Sequence, residues 1–264
     1  MRSLWLMYHD VYTRPDPGIP RSAAAYHVSK NAFDFQMQII QASGVPVACP
    51  QEALRPGPGQ ALVLTFDDGW AGTFRNALPV LMKYSYPAVI FATRDFVGRK
   101  GFCDQSMLRE AARAGVEIGV HGTTHRMLSA LSDEEVFSEF AQCKDFLEQT
   151  LSKSVRLASL PGGDVNNRII AGARRAGLEC LSTSQPGINH ARTAAFRLRR
   201  IAIRESTDSR AMERFCRLAT GREVTRWSLL EMPRLLLGMR NYSRFRRVVL
   251  DFRNRSKARE IFRP

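Results

Sequence analysis

The sequence predicts an α/β fold: a barrel of about seven parallel strands followed by a basic helical extension at the C-terminus. Three observations lead there. Short apolar runs alternate with amphipathic stretches of helical length, as expected when crossover helices cover a parallel sheet. Two polar motifs, Asp67-Asp68-Gly69 and His121-Gly122-Thr123-Thr124-His125, follow two of the apolar runs directly. That puts them at the C-terminal ends of strands, where barrels of this kind keep their sites. Charge is unevenly spread, since residues 197–264 hold 19 of the 39 Lys and Arg but only 7 of the 25 Asp and Glu.

The first strand is expected over 3–8, where Leu4-Trp5-Leu6-Met7-Tyr8 runs into His9-Asp10. Residues 12–30, with Pro15, Pro17, Gly18 and Pro20, predict a long loop over the barrel mouth, either a cover for a ligand or a plain connection. A helix over 31–43 follows, then the turn Pro56-Gly57-Pro58-Gly59. Further strands are expected near 61–66, 87–93, 116–120, 155–160, 178–183 and 198–204. The remaining helices are expected near 73–84, 104–114, 132–150, 166–176 and 208–219. The helix after Leu131 opens with Ser132-Asp133-Glu134-Glu135, a capping box with acidic residues at the positive end of the helix dipole. With 264 residues and 44% hydrophobic content the chain can bury a sizeable core. The expected division is a barrel over 1–205 and a basic helical extension over 206–264.

A lone Asp-Asp-Gly is commonly a turn, and a lone His-x-x-x-His is commonly a pair of solvated or core imidazoles. Together, at the ends of two parallel strands, they can supply one carboxylate and two imidazoles to a divalent metal and keep open positions for water and substrate. The second carboxylate is then free to act as a base, which points to metal-assisted hydrolysis. Consecutive side chains diverge along an extended strand, so the backbone must turn at the strand end to bring both carboxylates to one cavity. Residue chemistry alone does not say which Asp is ligand and which is base.

The segment Thr65-Phe66-Asp67-Asp68-Gly69, with His121-Gly122-Thr123-Thr124-His125 after it, resembles the polysaccharide deacetylases, the NodB-homology carbohydrate esterases. Their signatures are Thr-Phe-Asp-Asp-Gly and His-(Ser/Thr)-x-x-His. The likeness runs from about residue 4 to about residue 204 and departs at Gly122, where the family usually has Ser or Thr. It implies a distorted (β/α) barrel, with Asp67 as general base and Asp68, His121 and His125 as ligands of one divalent metal. Zinc suits that donor set best; cobalt, nickel or iron would also fit. The family's Arg-x-Pro-Tyr-Gly motif is altered to Ser159-Leu160-Pro161-Gly162-Gly163. Pro161 and Gly163 keep the turn, and the Gly162 N–H could still receive the oxyanion, since that task needs no side chain. The missing Arg normally orients the catalytic Asp. Arg199 or Arg200, with Arg200 preferred as a site residue, could replace it. The family's late Leu-x-x-His motif, source of the acid that protonates the leaving amine, has no match in Arg200-Ile201-Ala202-Ile203-Arg204.

Besides His121 and His125 the chain has His9, His27 and His190. His9 follows an apolar strand in a Tyr-His-x-Val context that resembles the family branch acting on exopolysaccharide N-acetylglucosamine. It is the candidate acid; the alternatives are a structural strand-end histidine, or return of the proton by Asp67 itself. His190 is expected to be a loop residue. No Gly-x-Ser-x-Gly elbow signals a serine nucleophile.

Cys49, Cys103, Cys143, Cys180 and Cys216 are scattered and include no Cys-x-x-Cys, so neither a disulfide framework nor a thiolate zinc site is indicated. Leu4-Trp5-Leu6-Met7 is too short for a signal core, and no apolar run of about twenty residues occurs. The expectation is a cytoplasmic protein. In the tail, the apolar Trp227 to Met239 is interrupted by Pro233, and Tyr242 to Lys257 adds Arg244, Arg246, Arg247, Arg253 and Arg255. This composition suits a helix lying on the inner-membrane surface; packing on the barrel is the alternative, and nucleic acid is the least favoured partner. The combined expectation is a hydrolase that removes acetyl, or formyl, from an amino sugar in a surface glycan or its lipid-linked or nucleotide-linked precursor. A glycan-binding pseudoenzyme is the other reading.

Overall fold

A computed structural model of the chain describes residues 1–229. Its strands are β1 (Arg2–Tyr8), β2 (Val11–Tyr12), β3 (Val28–Ser29), β4 (Gln60–Phe66), β5 (Ala88–Ala92), β6 (Glu117–Val120), β7 (Leu157–Ser159), β8 (Cys180–Ser182), β9 (Asn189–His190) and β10 (Ile201–Ala202). Its helices are α1 (Arg21–Ala24), α2 (Lys30–Ser43), α3 (Pro50–Ala53), α4 (Leu78–Tyr84), α5 (Gln105–Arg113), α6 (Asp133–Leu151), α7 (Asn167–Arg175) and α8 (Ser209–Cys216). Seven strands run parallel in the order β10-β1-β4-β5-β6-β7-β8. Ser182 at the end of β8 also bridges Leu198, three residues before β10, so the sheet curls round and nearly closes into the expected distorted barrel.

Side chains alternate across each strand. Leu62, Leu64 and Phe66 of β4 join a large cluster with Phe33 and Met37 of α2 and Leu81 of α4, which is the layer between barrel and helices. Ala61 and Val63 belong instead to a small cluster with Trp5, Val89 and Phe91 that contains no residue of the large crossover helices. That cluster fills the barrel interior, leaving the opposite, C-terminal end for polar groups.

The helices start where side chains can cap them. Ser29, Asp104, Ser132, Asn166 and Asp208 each accept a backbone N–H of the first turn. The expected capping box at Ser132 is present in both directions, with Glu135 N–H on Ser132 Oγ and Ser132 N–H on the Glu135 carboxylate. The helix expected over 73–84 is divided: Thr73–Ala77 form a wider turn and α4 starts at Leu78. Pro79, with no N–H to give, stands at that joint.

Two expectations need correction. The 12–30 segment is not wholly loop, because Val11 pairs in parallel with Val28 and α1 forms a single turn between them. The boundary expected at 205/206 falls inside a compact unit that runs from Met1 to Thr220, and a second unit begins at Gly221. Met212, Phe215 and Cys216 of α8 are buried in the same cluster as α2, so α8 closes the first unit. In the second unit residues 221–229 are helical, and most of the proposed membrane-facing segment, 230–264, lies outside the described residues. Among the described residues no helix is long and apolar enough to cross a membrane, and all five cysteines are free.

Candidate active site

Asp67 continues the inward series Ala61, Val63, Thr65 of β4 and is 2% exposed. On the same alternation Asp68 would point outward with Phe66. It is turned back because its backbone is left-handed, at φ 73°, and Gly69 follows at φ 83°. A left-handed non-glycine residue costs on the order of 1 kcal/mol, and here the strain brings two consecutive carboxylates to one cavity. The Thr93 N–H holds the Asp68 carbonyl at 3.3 Å and fixes the turn.

His121 ends β6, and His125 stands four residues on with its own left-handed backbone at φ 62°. The loop between them is clamped by Glu139 of α6, a carboxylate only 5% exposed. Glu139 Oε2 accepts the N–H groups of Thr123 at 2.7 Å and Thr124 at 2.9 Å, and Oε1 accepts the Thr124 hydroxyl at 2.5 Å. Gly122 sits at φ 81°, and a Cβ there would lie 3.1 Å from Glu139 Oε2. Glycine at this position, the chain's departure from the family pattern, therefore suits a loop folded tightly onto a buried carboxylate.

The atoms that could hold a metal converge. Asp68 Oδ1 is 3.1 Å from His121 Nε2 and 3.1 Å from His125 Nε2, and one donor atom from each residue lies within 4.8 Å of the others. His121 Nδ1 faces the Ser159 carbonyl at 3.1 Å and the Ser159 Oγ at 2.5 Å. A carbonyl can only accept, so the proton sits on Nδ1 and Nε2 presents a lone pair. Asp68 Oδ1 is buried and has no hydrogen-bond donor. Lone pairs gathered around a buried anionic oxygen are unfavourable until a cation joins them, and this nitrogen and oxygen donor set fits a divalent metal. Burial pushes the Asp68 pKa up, but a proton on an imidazole Nε2 can stand in for that cation, and the resulting hydrogen bonds from His121 and His125 hold the carboxyl well below the usual range. Burial lowers His125 while Asp68 raises it, with a net rise, so a proton competes with the metal for that imidazole.

Arg200 answers the question of the missing motif Arg. It is fully buried, and its guanidinium meets Asp67 end-on, Nη1 to Oδ1 at 2.7 Å and Nη2 to Oδ2 at 2.8 Å. Nε donates to the Thr183 carbonyl at 3.0 Å and Nη1 also reaches Thr65 Oγ1 at 3.2 Å. Burial raises the Asp67 pKa, and Arg200, helped by His121 and His9, more than offsets that and holds the carboxyl below its ordinary range. Arg199, the other candidate, is exposed. Ser159, at the family's Arg position, donates from Oγ to Asp67 Oδ1 at 3.2 Å while receiving His121 Nδ1. One small residue thus links the carboxylate to the imidazole.

His9 ends β1 at the same face. Its Nδ1 is buried with no hydrogen-bond partner, and its ring lies 5.0 Å from that of Tyr26. Burial lowers its pKa, and the charges of Asp68 and Asp67 act against that. Pro161 is buried, and Gly162 is left-handed at φ 69°. A Cβ on Gly162 would stand 2.5 Å from Met127 Sδ, so Met127 occupies the space where the family carries its aromatic side chain. His190 is exposed and pairs with Arg2 at the opposite end of β1.

Sequence reasoning assigned no site role to Trp70, Ser159, Glu139 or Tyr26. Glu139 did carry a signal: Val136, Phe140, Cys143 and Leu147 form the buried stripe of α6, and Glu139 falls within it. Trp70, placed after Gly69, has the composition of an ordinary core aromatic.

Residues 55–181 match the family profile described as polysaccharide deacetylase. The chain is 26% identical over 204 residues to YxkH of Bacillus subtilis (strain 168), named for the same family, with 75% of this chain and 70% of that protein covered. It is 25% identical over 175 residues to a poly-beta-1,6-N-acetyl-D-glucosamine N-deacetylase of Staphylococcus aureus. That alignment covers 58% of this chain, which spans only 60% of that enzyme. The fold is similar to that of the Streptococcus pyogenes deacetylase PplD, solved with acetate, at a TM-score of 0.72, 24% identity and coverage of 80% and 96% of the two chains.

Proposed function

Because the chain belongs to the polysaccharide deacetylase family, we propose that it is a metal-dependent carbohydrate N-deacetylase. It would hydrolyse the N-acetyl amide of an amino sugar to acetate and a free amine. The observation that carries this reading is the convergence of Asp68 Oδ1 on two imidazole Nε2 atoms beside a second, separately held carboxylate. Asp68, His121 and His125 would hold one divalent ion, zinc by its donor set, with cobalt, nickel or iron able to replace it. When bound, that ion supplies Lewis acidity, which polarises the acyl carbonyl and acidifies a water.

Asp67 takes the proton of the attacking water. Arg200 occupies one direction on each Asp67 oxygen and the Ser159 hydroxyl takes the second on Oδ1, which leaves a lone pair on Oδ2, so the carboxylate is held in place without being blocked. The Gly162 N–H receives the oxyanion of the tetrahedral state. His9, on the same face, gives a proton to the leaving amine. With Arg200 in the place of the lost motif Arg and His9 available as acid, turnover is favoured over a binding-only role.

For substrate, the poly-N-acetylglucosamine activity named for the S. aureus relative supports an N-acetylated surface glycan. The 19 Lys and Arg of residues 197–264 support a lipid-linked sugar met in the cytoplasm at the inner-membrane surface. Co-sedimentation with anionic liposomes tests that last point, and equal binding by the full chain and a chain ending at Thr220 would remove it.

The central test is metal analysis with acetate release. About one zinc per chain is expected, abolished in His121→Ala. Acetate should be released from N-acetylated oligosaccharides or lipid-linked amino sugars, and Asp67→Asn should lose that activity while keeping zinc. A chain that holds no metal overturns the reading. Bound metal with no release from any N-acyl sugar would make the protein a glycan-binding relative.

A further inference from the structure

The Asp68 carboxylate has two oxygens, and the chain treats them differently. Oδ1 faces the two imidazoles and has no donor. Oδ2 receives the indole N–H of Trp70 at 2.9 Å. An indole nitrogen can only donate, so the direction of this bond is unambiguous. Resting on the metal-dependent reading above, we infer that Trp70 is a positioning residue that makes Asp68 a one-oxygen ligand.

Carboxylates bind divalent ions through one oxygen or two, and the choice decides how many positions remain for water and substrate. By engaging Oδ2 the Trp70 N–H disfavours the two-oxygen mode and aims Oδ1 at the His121 and His125 nitrogens. The indole can do this because it is fixed on both faces. It stacks on Phe102 at 4.2 Å and meets the His27 ring edge-on at 4.6 Å, while the Trp70 and Phe102 backbones form an antiparallel bridge. Phe102 packs on Phe96 at 4.5 Å, and Phe96 on His125 at 5.5 Å. An unbroken run of aromatic contacts therefore ties the orienting group of one ligand to the ring of another. Outer partners of metal ligands typically tune affinity by about 10–100-fold.

The test is metal binding by the whole chain, read by chelator competition for zinc and by the visible absorption of the cobalt(II) form. Trp70→Phe keeps a ring to stack on Phe102 and His27 but removes the N–H. Its zinc affinity should fall about 10–100-fold, with a cobalt spectrum altered from that of the parent as Oδ2 becomes free to bind. Phe102→Leu loosens the stack but leaves the N–H, so it should lower zinc affinity less than Trp70→Phe does and keep a spectrum close to the parent. Unchanged affinity and spectrum in Trp70→Phe would overturn the inference, as would equal weakening by Phe102→Leu, which would assign the effect to packing. A parent chain that binds no metal overturns the deacetylase reading instead, so the two failures are distinguishable.

Discussion

Replacing Arg200 with Met tests how the chain holds the Asp67 carboxylate proposed as its general base. The Arg200 side chain is fully buried and makes four hydrogen bonds: two to Asp67, one to the Thr183 carbonyl and one to Thr65 Oγ1. Methionine fills much of the volume and makes none of them. Asp67, 2% exposed, would keep only the Ser159 hydroxyl at 3.2 Å among these side-chain partners. Removing one member of a buried pair leaves an uncompensated charge, at a cost of about 3–5 kcal/mol, a large part of the 5–15 kcal/mol typical of whole domains. The Asp67→Asn, Arg200→Met double variant removes both charges, so its loss should fall short of the summed single losses by about 2 kcal/mol or more. Urea unfolding of the metal-free chains measures this. Because Arg200 is closed off from solvent it cannot touch substrate, and its loss should appear in kcat with KM nearly unchanged. A displacement of about 1 Å at Asp67 would cost roughly 100-fold. Arg200→Lys, one ammonium in place of a planar fork, should recover part of the stability and little of kcat. A single variant within about 1 kcal/mol of the parent, additive losses in the cycle, or a change confined to KM would refute the reasoning.

Glu139→Ala should leave the Thr123 and Thr124 N–H groups without their acceptor, loosen the loop between His121 and His125 and weaken the proposed zinc binding about tenfold or more. Glu139→Gln, which keeps one acceptor oxygen, should fall between that variant and the parent in a chelator competition titration. Zinc affinity unchanged in Glu139→Ala would mean that the loop is held by other contacts. The buried pair Asp10 and His27, 3.8 Å apart, makes a prediction about pH. Burial raises the Asp10 pKa to about 6 against the opposing pull of backbone N–H groups, and burial lowers the His27 pKa to about 4. The raised carboxyl stabilises the fold below its unfolded pKa of 3.8 and loses that contribution as pH rises toward 6. The depressed imidazole stabilises above its unfolded value of 6.5 and loses that contribution as pH falls toward 4. Between about pH 4 and 6 the two slopes, each about 1.4 kcal/mol per pH unit, oppose and cancel. In the metal-free chain, stability relative to the parent should therefore rise with pH across that window in Asp10→Asn and fall in His27→Gln. Variant and parent melting curves that stay parallel across the window would refute the assignment.

The barrel was legible because each strand and crossover helix carries its own period, and no element depends on a contact that the period hides. Residues 61–64 and 88–92 are apolar on both faces, which only a strand covered by helices and by a filled interior can satisfy. The helix starts were equally local, since Ser132 and Glu135 cap one another within four residues. The missed pieces depend on distant partners or on one residue's backbone. The short Val11 and Val28 pair joins residues seventeen apart in sequence through a proline-rich stretch that carries no alternation. The end of the first unit is set by α8 burying Phe215 beside α2, a contact between the two extremes of that unit.

The site divides in the same way. That Asp67, Asp68, His121 and His125 meet in one cavity was legible because the strand ends bring those two motifs close together. The left-handed turn that makes Asp68 face the same cavity as Asp67 was not, because φ at Asp68 follows from Gly69 and from the Thr93 N–H acting together. Arg200 could be nominated from sequence as one of two adjacent arginines, and strand alternation separates them: one side chain enters the barrel and its neighbour faces out. An arginine at position 159 would have to share a small space with the Arg200 guanidinium, because Ser159 Oγ already lies 3.2 Å from the Asp67 oxygen that Arg200 grips at 2.7 Å. Serine at 159 and arginine at 200 are thus one arrangement rather than a loss and an unrelated gain. The cation that the family carries on the motif strand arrives here from the last strand, and the small residue left behind is free to orient His121.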